Sequence, residues 1–113
     1  MTDKEGNFLS AFNKIAEEIY QISRDKGFHD KERNEGEVIA LCHSELSEGL
    51  EALRLDKMSN KIPDFSGIEE ELADTIIRIM DWAHSKKYRV AEALIEKIKF
   101  NKNREYMHGG KNF

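Results

Sequence analysis

Glu45-Leu46-Ser47-Glu48 and, further along, Glu71-Leu72-Ala73-Asp74 are two copies of one pattern, acid-Leu-small-acid, with 22 residues between Glu48 and Glu71. Each lies inside an apolar repeat of helical period. Positions i and i+3 share a side of a helix, so each tetrad aims two carboxylates in roughly one direction. At about 100° per residue, Glu45 and Glu48 flank Leu46 at the same angles as Glu71 and Asp74 flank Leu72. If the two helices pack face to face, four carboxylates converge. Like charges at short range repel, and such a cluster calls for a cation. Oxygen donors without a His or Cys in the pattern favour Mg²⁺, with Mn²⁺ as a substitute, over zinc.

Spacing by itself proves little, because E-x-x-[DE] also begins at Glu32 and at Glu48. Surroundings discriminate. Glu51 faces away from the apolar arc and reads as a solvated charge. Glu45 sits between Val38, Leu41 and Ala52, where an unpaired carboxylate is costly.

The chain has 113 residues, enough for one domain spanning 1–113, and is 39% hydrophobic and 35% charged with a single proline. That composition suits an all-α protein better than a β one. A net charge of −4 argues against a general nucleic-acid coat. The lone Cys42 cannot form an internal disulfide, which makes a reducing cytoplasm the expected compartment. The polar start has no signal-peptide core, and no apolar run approaches the ~20 residues of a membrane span.

Periodicity and caps predict four helices. The first covers about residues 8–26, with Phe8, Leu9, Phe12, Ile15, Ala16, Ile19 and Ile22 as its apolar positions and Gly27 past its end. His29, in the charged connection that follows, reads as solvated. Asn34 and Glu37 signal the start of the second helix, about 35–57, with a main stripe of Ile39, Cys42, Leu46, Leu50 and Leu53. Pro63 marks a break. Ser66-Gly67-Ile68-Glu69 is a capping-box pattern opening the third helix, which runs to about Lys86 with Ile68, Leu72, Thr75, Ile76, Ile79 and Ala83 as its core stripe. Arg78, one turn after Asp74, is expected to pair with it, the alternative being contact with a phosphate. Ile77, Met80 and Trp82 add apolar surface on further sides, which implies a second subunit covering this helix. The fourth helix, about 90–105, packs through Ala91, Leu94, Ile95 and Ile98. Lys97, Asn101 and Arg104 line one edge of it as donors suited to phosphate oxygens. The glycine-containing tail, 106–113, could fold over a ligand or a neighbour.

The order E-x-x-E, spacer, E-x-x-D, followed by Lys97-Ile98-Lys99-Phe100-Asn101-Lys102-Asn103-Arg104 as K-x-x-x-N-x-x-R, resembles the all-α nucleoside triphosphate pyrophosphohydrolases, the MazG-like group. The resemblance covers roughly residues 37–111. It implies a four-helix bundle-like fold completed by oligomerisation into a homodimer or homotetramer. It also implies Mg²⁺-dependent cleavage of a nucleoside triphosphate to monophosphate and pyrophosphate. Glu45, Glu48, Glu71 and Asp74 would hold the metal, Glu45 or Glu48 would act as the base, and Lys97, Asn101 and Arg104 would bind phosphates or sugar. Because the group also includes dimeric dUTPases and phosphoribosyl-ATP pyrophosphohydrolases, the base is not specified, and no first-helix residue is assigned.

Two other readings compete. A di-iron bundle needs two Glu-x-x-His elements on inward faces; here Asp81-x-x-His84 is read as pointing away from the core stripe and Glu105-x-x-His108 runs into the tail. A non-catalytic helical interaction protein would account for the apolar surplus, but not for two acid pairs in one phase.

Overall fold

Caps set the boundaries of the helices. In the computed structural model, which describes residues 1–104, the elements are α1 (Asp3–Asp25), α2 (Glu35–Leu55), α3 (Gly67–Lys86) and α4 (Val90–Lys102), with no strand among the described residues. The bundle is therefore all-α. The α1 helix starts well before residue 8 because Thr2 and Glu5 form a capping box: the Thr2 N–H donates to Glu5 Oε1 at 2.8 Å and the Glu5 N–H to Thr2 Oγ1 at 3.1 Å. Asn34 caps α2 and Ser66 with Glu69 caps α3, both as expected. Left-handed residues stop both helices, Asp56 at φ 50° and Lys87 at φ 61°. The expected tail at 106–113 lies outside the described residues.

The α2 and α3 helices form an antiparallel hairpin, since Glu35 at the start of α2 accepts from Trp82 near the end of α3, while Gly49 faces Ile68. Two glycines permit the close approach. A Cβ on Gly49 would lie 2.8 Å from Ile68 Cδ1, and one on Gly67 would lie 2.8 Å from Ala52 Cβ and 3.1 Å from the Lys57 carbonyl oxygen. The α1 helix packs on α3, and α4 packs on α1. Lys99 Nζ fastens α4 to Glu5 at 3.4 Å.

The buried face differs by one residue of phase from the expected stripe on α2, whereas the α3 stripe is buried as expected at Thr75 and Ala83. Val38, Glu45 and Gly49 are buried on α2, and Gly67, Thr75, Met80 and Ala83 on α3. Ile39, Leu46, Leu50 and Leu53 instead stand outward, 46% to 59% exposed, and so do Leu72, Ile76 and Ile79. A one-residue step rotates the α2 stripe about 100° from the contact. These side chains leave an outward apolar surface with no cover from the described residues. Phe8, Ile15, Ile22, Leu94 and Ile98 are also exposed rather than core. Among the described residues no helix is long and apolar enough to cross a membrane.

Candidate metal centre

The phase that turns the leucines outward turns the acids in. Glu45, on the buried face of α2, and Glu71 and Asp74, on α3, bring one carboxylate oxygen each to within 4.8 Å of one another. Glu48 lines the same cleft but is exposed and stands outside that group of three. The four acids singled out in the sequence thus share one cleft, as three converging carboxylates and one flanking carboxylate.

Its electrostatics are those of an unneutralised cluster. Glu71 Oε2 is enclosed and has no hydrogen-bond partner among the described residues. Burial first, then the neighbouring Glu45 and Glu48 carboxylates, push the Glu71 carboxyl up to about 8. Burial, with Glu45 and Glu70 adding repulsion, also raises Asp74, partly offset by Lys61 and Arg78. Arg78 is not paired with Asp74 along its own helix. It crosses to α2, where Nε and Nη2 both donate to Glu45 Oε1, at 3.1 and 3.0 Å.

A hard divalent cation fits this donor set. All three donors are carboxylates, and Glu71 carries an orphaned oxygen among the described residues, the donor chemistry that a hard divalent cation takes. Without a cation, Glu71 makes stability depend on pH. Its folded value exceeds the ordinary 4.5, so the native state keeps a proton that the unfolded chain loses. Stability is then highest below about pH 4.5 and falls as pH rises through about 8. The melting temperature in EDTA should drop across that interval, and Glu71→Gln or saturating Mg²⁺ should flatten the slope. A wild-type profile in EDTA as flat as that of the variant would contradict the assignment.

The cleft around the acids holds about 600 Å³, a size suited to a small-molecule ligand. Lys26, Arg33, Lys61 and Arg78 line it together with Ile19, Ile22, Phe28 and Ile77. Sequence reasoning assigned none of these to the site except, as one option, Arg78. A related correction concerns Asp81, which is buried: its Oδ2 accepts from Ser23 Oγ at 3.0 Å, its Oδ1 lies 2.8 Å from His29 Nε2, and Arg33 is 3.6 Å away. His29 is accordingly not a solvated loop residue. Together with Arg33 it pins the α1–α2 connection to α3. The available signal was the spacing of Asp81 two turns after Asp74, which puts both on one side of α3.

Lys97, Asn101 and Arg104 do not join the acids within one chain. They are exposed, Lys97 and Asn101 on α4 and Arg104 just past its end, with Lys97 Nζ 4.6 Å from the Phe100 ring centroid and Arg104 Cζ 5.8 Å from it. Set against models of known protein families, curated proteins and solved structures, the chain matches none.

Proposed function

We propose that this protein is a Mg²⁺-dependent nucleoside triphosphate pyrophosphohydrolase of the MazG-like kind, turning a (deoxy)nucleoside triphosphate and water into the monophosphate and pyrophosphate, in the service of nucleotide-pool housekeeping. The observation that carries this reading is a single cleft with three converging carboxylates and basic side chains around them. Carboxylates alone would repel a phosphate chain, and basic residues alone would not need the acids. Both in one cleft suit a polyanion bound together with a cation. When bound, the cation neutralises charge on the phosphates as it shifts.

The chain's own residues do the rest. Lys26, Arg33 and Lys61 hold phosphate oxygens, and Ile19, Ile22, Phe28 and Ile77 offer an apolar wall for the base. Glu48, outside the group of three, has oxygens open to a water. As the water oxygen bonds to the α-phosphorus, Glu48 takes its proton. The bond from that phosphorus to the α–β bridging oxygen breaks, and pyrophosphate leaves with the electron pair. Glu45 is the poorer base, because it belongs to the group of three carboxylates that would hold the cation.

In this reading the outward apolar face of α2 and α3 is where a second copy packs. Lys97, Asn101 and Arg104 then serve as phosphate or sugar ligands across an interface between copies, since α4 packs on α1. The test is a product assay with Mg²⁺ across canonical and modified nucleoside triphosphates. Monophosphate and pyrophosphate in equal amounts, abolished by EDTA, are expected. Diphosphate plus phosphate would mean attack at a different phosphorus, and no turnover on any nucleotide would leave the interaction-protein reading standing.

A further inference from the structure

Arg78 spends both of its cross-helix hydrogen bonds on one oxygen of Glu45. The strong arginine–carboxylate geometry is a fork that engages both oxygens, and here only Oε1 is used. Glu45 is nearly enclosed, with its side chain 11% exposed, whereas the Arg78 side chain is 34% exposed and lines the cleft. The buried partner is fixed and the guanidinium is the one free to turn.

Resting on the metal-dependent reading above, we infer that Arg78 is an exchangeable counter-ion. It neutralises Glu45 before a divalent cation binds, and it passes to the phosphate chain of the substrate once the cation takes over that carboxylate. Two cations on one carboxylate repel each other, more strongly in a cleft than in bulk water. A phosphate chain entering the same cleft gives the displaced guanidinium a partner with more negative charge and more acceptor oxygens than Glu45. Its planar array of donors suits that partner better than a lysine ammonium would. Arg78 is thus a substrate-positioning group held in reserve on the metal ligand, and Mg²⁺ and phosphate compete and cooperate through one side chain.

The experiment is isothermal titration of the full chain, wild type, Arg78→Gln and Arg78→Lys, first with Mg²⁺ alone and then, at saturating Mg²⁺, with an α,β-methylene nucleoside triphosphate. Removing the competing charge should make Arg78→Gln bind Mg²⁺ about 3- to 10-fold more tightly, while analogue affinity falls about 10-fold or more. Arg78→Lys, which keeps the charge, should retain wild-type Mg²⁺ affinity and only part of the analogue affinity. In wild-type protein the Arg78 Nε–H resonance should lose its exchange protection on adding Mg²⁺ and regain it with the analogue, a readout that needs no variant to fold. Mg²⁺ affinity that is unchanged or weaker in Arg78→Gln, or an Nε–H protected throughout, would overturn the exchange. Wild-type protein that binds no Mg²⁺ would instead remove the metal-dependent reading, and this inference with it.

Discussion

Asp74→Ala and Glu48→Ala should each abolish most pyrophosphate release, the Glu48 variant by about 10²–10⁴-fold, the range of a lost general base. The two should differ in everything else. Asp74 is one of the three converging ligands, so its variant loses Mg²⁺ binding as well as turnover. Glu48 stands outside the three, so its variant should still bind Mg²⁺. Stability separates them from ordinary folding defects. Asp74 is held by burial and by Glu45 and Glu70 in an environment that disfavours its charge, so deleting the carboxylate relieves repulsion. In EDTA at neutral pH, Asp74→Ala should melt no lower than wild type, with unchanged helix content by circular dichroism. Wild-type turnover in either variant would contradict the site, and a collapsed melting temperature in Asp74→Ala would contradict the electrostatic account of it.

The second large effect concerns assembly. Leu50→Glu combined with Ile76→Glu places two charges on the outward face of the hairpin, where the native side chains are 51% and 55% exposed. The double variant should sediment as the 13.1 kDa monomer and wild type as a multiple of that mass. An apolar face extending along two helices exceeds what a soluble monomer ordinarily leaves bare. If substrate ligands come from a second copy, activity falls with assembly. Wild-type protein that sediments as a monomer at micromolar concentration would remove the reason for this face.

The helices were largely legible in the sequence, because their ends are local chemistry. Ser66 with Glu69, and Asn34 with Glu37, announce α3 and α2. Thr2 with Glu5 announces α1 in the same way, and an expectation built on apolar residues alone passes over it. The phase of α2 and α3 was harder. A hydrophobic stripe reports that residues are to be buried, not by which chain. Leu46 and Leu72 therefore looked like the helix–helix contact, while the contact is made partly by Gly49 and Gly67, which have no side chain to register as apolar. The acids were legible as a set because their spacing is local. The pairing of Arg78 with Glu45, and of His29 and Ser23 with Asp81, was not, since partners 33, 52 and 58 positions apart are brought together only by the fold.

All four acids lie on a single hairpin whose arms are joined by residues 56–66. Closing so short a connection costs little chain entropy, and neighbours in sequence find each other early in folding. Forming this hairpin brings the like charges together, whatever stage the rest of the domain has reached. Folding speed, and not only final stability, is then sensitive to whatever neutralises them. On the proposed metal-dependent reading, this hairpin should form faster in Mg²⁺ than in EDTA.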